Sequence, residues 1–373
     1  SIPAALILTF LMLSKLFSVW LVILECKNVE CILDEVDQKI FEKIAKRVKA
    51  LQSLGYDQAK QILLSRRERV AEIVSQGNGL PKESAKLLLS YIDDLTLQLI
   101  KPLTVAFLGP RGSFTEEATL KIFSGAGVKP VPYPSISDVF RAVENGEVDY
   151  GVVPLENSTE GSVGETLDML ATSSVRICGE TEVRIVHNLI AKPGTRLEDV
   201  KVVLSHPMAL AQCRNFIYSR LKGVRIETRA STAEAVKEAV ETDGVAAIGS
   251  ELAARIYGGE IVARGIEDNK ENYTRFIVIG FKPLEKGTET KTSIIFTVKH
   301  IPGALYKALE PFASRGINLT KIESRPIKGK PWEYMFFLDL QGTLDDPKVA
   351  EAIDELKNRS TYIKILGSYK KIQ

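Results

Sequence analysis

Apolar residues in the first third of the chain recur with the spacing of an α-helix. From Ile32 to Leu51 they return at every third or fourth position, with charged residues between them, a pattern typical of an amphipathic helix. A second, strongly charged helix is predicted over residues 58–75. A third begins at Pro81, because proline suits the first turn of a helix. Residues 29–101 are therefore predicted to form an all-α segment.

Short apolar strands alternate with helices in the middle of the chain, which predicts an α/β architecture. Residues 103–108 and 149–154 are predicted strands, each followed by a polar turn and a helix. The longer run 183–191 is predicted to be one strand that crosses to a second lobe, and the chain returns to the first lobe through residues 272–276. We assign residues 102–284 to this two-lobed domain.

The last segment, residues 290–373, has a different order of elements. A strand, a helix, two strands, a helix and a strand follow one another along it. This βαββαβ order is ferredoxin-like. The sequence thus predicts an α/β fold in which an all-α segment precedes a two-lobed domain and a ferredoxin-like domain follows it.

Composition and charge exclude several classes of protein. The chain has 373 residues, with 49 basic against 47 acidic side chains and a net charge of +2, so we expect no nucleic-acid partner. Its four cysteines form no CxxC pair, which favours reduced thiols. Its three histidines lack the spacing of metal ligands, so no metal site is predicted.

Polar side chains follow one of the predicted strands at the edge where open α/β sheets hold their sites. Glu156, Asn157 and Ser158 come shortly after the strand 149–154, and three consecutive polar residues exceed what a helix cap needs. A loop can also carry such residues without any role. Both interpretations stay open at this level.

A second candidate is the turn 109–114, which follows the first predicted strand and contains Arg111 and Ser113. A glycine-rich turn at a helix N-terminus presents free backbone N–H groups that suit an anion, and an arginine adds a fork of donors that matches a carboxylate. The alternative is a turn whose glycines only permit the bend. Thr274 and Arg275, at the mouth of a later strand, can likewise donate hydrogen bonds to an anion and to a leaving oxygen.

Together, four stretches in this order resemble the prephenate dehydratase family: residues 105–118 (VAFLGPRGSFTEEA), 151–163 (GVVPLENSTEGSV), 205–213 (SHPMALAQC) and 272–276 (NYTRF). The resemblance runs over residues 103–283. It implies two lobes around a cleft, like a periplasmic binding protein, and the decarboxylating dehydration of prephenate without a cofactor. A different class of function, a two-lobed small-molecule receptor without turnover, needs no reactive threonine.

The resemblance also implies roles for individual side chains. Thr274 is expected to hydrogen-bond or protonate the departing hydroxyl, by position and electrostatics more than by acidity. Met208 stands where the family usually has glutamine, so Gln212 is expected to supply the polar substrate contact instead. The other expected site residues are Glu156 as a proton donor or positioning group, Asn157 and Ser158 to orient the ring substituents, and Arg111, Ser113, Arg275 and Ser205 to bind substrate.

The ferredoxin-like segment resembles an ACT regulatory domain. Residues 303–306 (GALY) and 323–326 (ESRP) resemble the motifs by which ACT domains of this family bind phenylalanine between subunits. The alternative is a helix start and a strand end with nothing bound. We expect phenylalanine as effector and a homodimer or homotetramer as the assembly. The expected effector residues are Gly303, Ala304, Leu305, Asn318, Glu323 and Ser324.

The N-terminal helices resemble an all-helical chorismate mutase, a family that grips a dianion with cationic side chains. Arg47, Arg67 and Glu68 match that family, whereas Glu30 and Gln58 stand where it has cations. A carboxylate in place of a guanidinium reverses the electrostatics of a dianion site. Two interpretations stay open: a working mutase, which would make the chain bifunctional, and a helical dimerisation or linker segment.

Residues 1–28 form a separate N-terminal segment, in which residues 2–24 are almost wholly apolar, broken mainly by Lys15. A run of about 20 such residues is long enough to span a bilayer, although no basic region precedes it as in a secretory signal. The alternative is a buried helix that belongs to a neighbouring domain. The resemblance of the rest of the chain to a biosynthetic enzyme favours this second interpretation and a cytoplasmic location, without a membrane partner.

Overall fold

The computed structural model describes residues 29–78, 80–123, 127–284, 286–327, 329 and 333–372. The chain divides into two compact units, residues 1–102 and residues 103–373. The predictions for residues 1–28 lie outside the described residues. Within the described ranges, none of the helices combines the length and the apolar character that crossing a membrane requires.

The described part of the first unit consists of helices, so its all-α prediction is confirmed. Gly55, at φ 74°, separates the first two of them, and Pro81 directly precedes the third. A small core lies where the helices meet, around Leu51, Leu63 and Leu97. The helices are α1 (Val29–Gln52), α2 (Tyr56–Asn78) and α3 (Lys82–Ile100).

Part of the apolar stripe of α1 is exposed to solvent. Leu33, Val36 and Ile40 belong to the periodic pattern that predicted this helix, and each remains exposed. Cys31, on the first turn of α1, is disulfide-bonded, so the prediction of four reduced thiols is wrong for this residue. Cys178 and Cys213 are free and buried.

The second unit begins with an α/β lobe whose strands run in the order β5-β11-β3-β1-β2, with β4 paired to the end of β3. The strand β1 is parallel to β2 and β3, whereas β11 is antiparallel to β3 and β5. The elements of this first lobe are β1 (Leu103–Leu108), α4 (Phe114–Ile122), β2 (Val128–Tyr133), α5 (Ile136–Glu144), β3 (Tyr150–Asn157), β4 (Gly161–Ser162), α6 (Gly164–Thr172), β5 (Arg176–Arg184) and, after the second lobe, β11 (Tyr273–Gly280).

The second lobe has its own sheet, with strands in the order β10-β6-β9-β7-β8. Its central strands are buried among small and branched apolar side chains. The elements of this lobe are β6 (Asn188–Ala191), β7 (Val202–Ser205), α7 (Pro207–Gln212), α8 (Arg214–Arg220), β8 (Arg225–Thr228), α9 (Thr232–Ala239), β9 (Val245–Gly249), α10 (Glu251–Tyr257) and β10 (Glu260–Ala263).

The run 183–191, predicted as one strand, is divided between the two sheets. Its start belongs to β5, which pairs with β11, and its end is β6, which pairs with β9 and β10. The chain changes sheet between Arg184 and Asn188, so a single straight strand is the wrong description. The end of β5 is half-buried at Val183 and exposed at Arg184, whereas all of β6 is buried, and the polar residues Arg184, His187 and Asn188 interrupt the run around the break.

The two lobes meet where the turn after β1 contacts α10. The hydroxyl of Ser250 donates to the carbonyl oxygen of Gly112 at 2.7 Å, and that of Tyr257 donates to the carbonyl oxygen of Arg111 at 2.8 Å. Gly112 has φ 81°, and a Cβ there would lie 2.9 Å from Cα of Ala253. Glycine is needed at this position both for the backbone conformation and for the close approach of α10.

The C-terminal segment has the predicted βαββαβ order, with antiparallel strands in the order β13-β14-β12-β15. Its sheet continues into the first lobe, because β15 pairs with β5 at Lys371 and Glu180. The predicted fold class is confirmed, whereas this shared sheet was not predicted. The elements are β12 (Glu289–Thr297), α11 (Ala304–Ser314), β13 (Leu319–Pro326), β14 (Tyr334–Gln341), α12 (Pro347–Arg359) and β15 (Tyr362–Lys371).

Candidate active site

The candidate active site lies at the edge of the first lobe's sheet where β3 ends and β11 begins. Ser158 links these two strands through hydrogen bonds. Its hydroxyl accepts from the amide of Tyr273 at 3.0 Å and donates to the carbonyl oxygen of Glu271 at 3.1 Å. Both partners are backbone groups, so the structure supports Ser158 as a brace for this edge, in place of the predicted contact with ring substituents.

Asn157 and Thr274 lie opposite each other in the β3–β11 ladder. The side-chain amide of Asn157 donates to the hydroxyl oxygen of Thr274 at 2.8 Å. Its own oxygen accepts from the backbone amides of Thr159 and Glu160, at 2.9 and 3.1 Å. Backbone amides can only donate, so they fix which end of the Asn157 side chain carries the hydrogens. The oxygen of Thr274 therefore accepts a hydrogen bond, and within the described part of the chain its own hydrogen has no acceptor and can be donated to a ligand.

The side-chain amide of Asn157 also belongs to a hydrogen-bond network that extends to the second lobe. Asn157 also donates to the side-chain oxygen of Asn272 at 2.8 Å, and the Asn272 amide donates to the side-chain oxygen of Gln212 at 3.1 Å. That oxygen lies 2.9 Å from Nε2 of His187. An amide oxygen can only accept, so Nε2 of His187 carries the hydrogen. We call these five residues, including Thr274, the amide network.

His187 ends the amide network in a buried position. Its ring packs edge-on against Phe114, with centroids 5.5 Å apart. Burial lowers the pKa of His187, against the opposing effects of Gln212 and Glu267, so the ring is neutral at pH 7. Among the described residues its Nδ1 has no hydrogen-bond partner. Sequence reasoning missed this histidine; its position between two buried strands is a signal, although a core histidine gives the same one.

Glu156 and Arg275 face the other side of the sheet, away from Thr274. Successive residues of a strand project to opposite faces, and Glu156 and Arg275, which lie next to Asn157 and Thr274, point towards the C-terminal domain. Lys321 donates to Glu156 at 2.8 Å, and Arg275 donates to Asp339 at 2.6 Å. Both side chains hold partners in the C-terminal domain, and the roles predicted for them in proton donation and substrate binding stay predictions.

The turn after β1 differs in part from the predicted anion site. The carboxylate of Glu116, itself buried, accepts from the amide of Gly112 at 2.5 Å and from Nε of Arg111 at 3.3 Å. Ser113 caps α4 by accepting from the amide of Glu116 at 3.2 Å. The protein's own carboxylate thus occupies one of the N–H groups expected to bind an anion, that of Gly112, and Ser113 has a structural role. The side chain of Arg111 is 62% exposed, and only its Nε is used in the bond to Glu116.

Ser205 does not reach the site. It is fully buried at the end of β7, and its hydroxyl donates to the carbonyl oxygen of Ile248 at 2.7 Å. The predicted substrate contact is corrected, since this hydroxyl joins two strands of the second lobe's sheet. From the same sequence stretch, Gln212 at the end of α7 does reach the amide network.

The C-terminal domain has a cavity of about 370 Å³ at the start of α11. Ala304 and Leu305 line it, and Gly303 precedes them with φ 77°. The predicted effector residues do not all gather there. Asn318 lies before β13, and Glu323 and Ser324 point to opposite sides of that strand, where Glu323 accepts from Ser162 of the first lobe.

In the helical unit, two of the arginines expected to bind a dianion share an internal partner. Arg47 and Arg67 both donate to the buried carboxylate of Asp93, Arg67 at 3.0 Å. These side chains line a cavity of about 180 Å³. Glu68 is exposed and pairs with Lys82 and Lys86 at 3.0 Å each, so the structure does not bring it to the cavity.

Comparison with known proteins agrees with this architecture. The family model described as "Prephenate dehydratase" matches residues 105–283, and that described as "ACT domain" matches residues 292–358. The bifunctional chorismate mutase/prephenate dehydratase of Aquifex aeolicus (strain VF5) is 41% identical over 357 residues, which cover 93% of this chain and 98% of that protein. A protein of the same description from Neisseria gonorrhoeae is 38% identical and covers 90% of this chain and 94% of that protein.

Solved structures agree as well. The prephenate dehydratase of Arthrobacter aurescens, described in complex with L-Phe, superposes with a TM-score of 0.66 at 36% identity. The match covers 72% of this chain and 90% of that one. Fold and site together define a two-lobed α/β lyase joined to a regulatory domain. The chain belongs to the prephenate dehydratase family and carries a C-terminal ACT domain, which confirms the resemblance found in the sequence.

Proposed function

We propose that this enzyme forms phenylpyruvate at the face of the sheet that carries Asn157 and Thr274, with Thr274 donating a hydrogen bond to the departing hydroxyl of prephenate. The observation that carries the proposal is the direction of one hydrogen bond. The amide of Asn157 donates to Thr274 at 2.8 Å, which leaves the threonine hydrogen to point at a ligand. A donor fixed in this way needs no reorganisation during the reaction.

In this reaction the main task of the protein is to position the substrate and the hydrogen-bond donor. The bond from the ring to the hydroxyl breaks and its electron pair leaves with the oxygen, which takes up one proton and departs as water. The bond from the ring to its carboxylate breaks as well, and that electron pair enters the ring while carbon dioxide leaves. The ring becomes aromatic, so the driving force lies in the substrate and no cofactor is required.

Prephenate carries two carboxylates, which need cationic or N–H partners. Arg111 is the candidate that we favour, because its side chain is 62% exposed beside the turn after β1. Gln212 is the candidate from the second lobe: its side-chain oxygen accepts from Asn272, which leaves its NH2 group with a hydrogen to donate to the substrate. We do not propose Arg275 for this role, because its guanidinium donates to the buried carboxylates of Asp339 and Glu180.

The direct test is to incubate the protein with prephenate and to follow the absorbance of phenylpyruvate. Formation of phenylpyruvate at an ordinary enzymatic rate, about 1–1,000 turnovers per second, supports the proposal. Binding of prephenate without product would support the alternative of a two-lobed receptor. A variant with Thr274→Ala separates turnover from binding, since it should still bind prephenate.

We further propose that phenylalanine controls the enzyme by binding at the start of α11. A relative in the same family is described in complex with L-Phe, and the cavity beside Ala304 and Leu305 is lined by apolar and polar side chains. The amide of Ala304 already donates to the carbonyl oxygen of Ile301 at 3.2 Å, so the amides that follow it in the first turn are the ones left for a carboxylate.

The test of this control is Gly303→Val with Gly316→Val as its matched control. Both glycines have a positive φ and no heavy atom within 4 Å of an added Cβ, so valine strains both ends of α11 in the same way. Gly303→Val should abolish phenylalanine binding and inhibition, and Gly316→Val should retain both. Inhibition of wild-type strength in Gly303→Val would place the effector elsewhere. Location in the cytoplasm and assembly as a homodimer or homotetramer stay predictions.

A second candidate function is the chorismate mutase activity named in the relatives, whose match covers nearly the whole chain. We predict that this activity is weak or absent here, because Asp93 already pairs with both Arg47 and Arg67 and offsets part of their positive charge, and because Glu30 and Gln58 replace expected cations. The test is the rate at which the protein consumes chorismate. Turnover at ordinary enzymatic rates that is lost in Arg47→Ala would overturn this prediction.

A further inference from the structure

Two successive residue pairs of the β3–β11 ladder project to opposite faces of the sheet. The register places Thr274 opposite Asn157 and Arg275 opposite Glu156. Residues that lie opposite each other share a face, and successive residues alternate between faces. Each member of the Asn157–Thr274 pair is therefore one peptide bond away from a residue that points towards the ACT domain. We call Glu156 and Arg275 the ACT-facing pair.

Arg275 is buried and donates hydrogen bonds to residues of both domains. It is 8% exposed. Its guanidinium donates at 2.6 Å to Glu180 on β5 and at 2.6 Å to Asp339 on β14, and at 3.0 Å to the hydroxyl of Tyr369 on β15. Burial opposes its charge, yet Tyr369, Asp339 and Glu180 keep the pKa of Arg275 well above its ordinary value. The side chain thus remains a cation held at three points.

Glu156 has a similar link to the outermost ACT strand. The ammonium group of Lys321, on β13, donates to Glu156 at 2.8 Å and to the hydroxyl of Ser162 at 2.6 Å. Lys321 also lies 3.0 Å from Glu323 on its own strand. A carboxylate on β3 and a hydroxyl on β4 are therefore both bound to one ACT side chain.

We infer that Arg275 and Glu156 are positioning residues, through which the ACT domain sets the separation and orientation of Asn157 and Thr274. Charge-assisted hydrogen bonds are strong and a buried ion pair is costly to break, so a displacement of β13 or β14 is transmitted to the backbone of β3 and β11. The ladder has a bulge directly after Arg275, and bulges permit a local change of twist. In its regulatory part this inference rests on the proposed control by phenylalanine.

The domain contact includes another ion pair that provides a matched control. Arg325, on β13, donates to Asp168 on α6 at 2.9 and 3.1 Å. This pair joins the same two domains, but Asp168 is neither on the β3–β11 ladder nor next to a residue of the amide network. Its loss should weaken the contact between the domains without moving the Asn157–Thr274 pair.

The experiment compares Asp339→Asn, Lys321→Gln and Asp168→Asn in the full chain. For each variant, kcat and KM for prephenate, the half-inhibitory phenylalanine concentration and the equilibrium affinity for phenylalanine are measured. Asp339→Asn and Lys321→Gln should lower kcat about five-fold or more with little change in KM. They should raise the half-inhibitory concentration about ten-fold, a usual size for allosteric coupling, while phenylalanine still binds. Asp168→Asn should resemble the wild type in all four quantities.

The outcomes separate this inference from the proposed function. If the wild type is inhibited and all three variants match it in kcat and inhibition, the ACT-facing pair carries no coupling and the inference is wrong, while the proposed function stands. If phenylalanine does not inhibit the wild type, the proposed control is wrong, and the kcat values still test positioning. Lys321→Gln, at a partly exposed site, keeps the test decisive if Asp339→Asn fails to fold. Loss of phenylalanine binding in Asp339→Asn and Lys321→Gln would also contradict the inference.

Discussion

The side-chain amide of Asn157 donates to the hydroxyl oxygen of Thr274 across two antiparallel strands, at 2.8 Å. The orientation of that amide follows from two backbone N–H groups, those of Thr159 and Glu160, which hold its oxygen. The direction of the hydrogen bond decides what Thr274 can do. A threonine whose oxygen is already an acceptor presents its hydrogen to the substrate, which is what a departing hydroxyl requires.

Asn157→Asp tests this direction with almost no change in shape. The carboxylate has no hydrogen to donate, so Thr274 would donate to it instead of to the substrate, and the bond to Asn272 would be lost. We expect kcat to fall about 100-fold or more, as for other positioned donors. Asn269→Asp is the control, because the exposed Asn269 only accepts, from the amide of Glu271 at 2.9 Å. Unchanged kcat in a folded Asn157→Asp protein would contradict the assigned direction.

His187 provides a second prediction, because it can only donate to Gln212 through Nε2. His187→Phe removes that donor and keeps most of the ring contact with Phe114, so the oxygen of Gln212 loses one of its partners and the amide network loosens. We expect kcat to fall about ten-fold, the loss typical of one hydrogen bond, with a smaller change in KM. His187→Gln keeps an N–H donor and should retain more activity than His187→Phe. Equal kcat in both variants would show that the hydrogen bond has no role.

Glu117 gives a prediction about stability and pH. This side chain of α4 lies against α10, and burial raises its pKa from 4.5 to about 7, although the amide of Leu252 and the charge of Arg255 lower it. The unfolded chain ionises this carboxyl above pH 4.5, whereas the folded protein keeps it protonated up to about 7. The favourable contribution that the protonated Glu117 makes to the free energy of unfolding is therefore fully present below pH 4.5, and it is lost as the pH rises through about 7.

Above about pH 7 the folded protein holds an ionised carboxylate in a buried position, which costs free energy. Glu117→Gln removes this cost, since glutamine stays neutral and still accepts a hydrogen bond from the amide of Leu252. Denaturation at pH 8 should show the variant more stable than the wild type by about 1–3 kcal/mol, with a much smaller difference at pH 5. The exposed Glu234→Gln is the control and should give the same small change at both pH values. A gain in Glu117→Gln that does not depend on pH would point to packing as its cause.

The sequence allowed much of the fold and half of the site to be predicted, and the division has a physical cause. Asn157, Gln212 and Thr274 were expected, because polar residues at strand ends and a family motif mark them. The partners of Arg275 were not, since Glu180, Asp339 and Tyr369 are distant in sequence and no local pattern shows which face of β11 a second domain covers. The break between β5 and β6 was missed for a related reason: the strands with which each part pairs are distant in sequence, so no local pattern shows where the chain changes sheet.

The central claim is that Thr274 provides the hydrogen bond that the departing hydroxyl needs. The most direct measurement is kcat for phenylpyruvate formation by the wild type, Thr274→Ser and Thr274→Ala, with folding checked by denaturation. Serine keeps the hydroxyl, so Thr274→Ser should retain most of the activity, whereas Thr274→Ala should lose about 100-fold or more in kcat. A folded Thr274→Ala protein with a kcat close to that of the wild type would contradict the account.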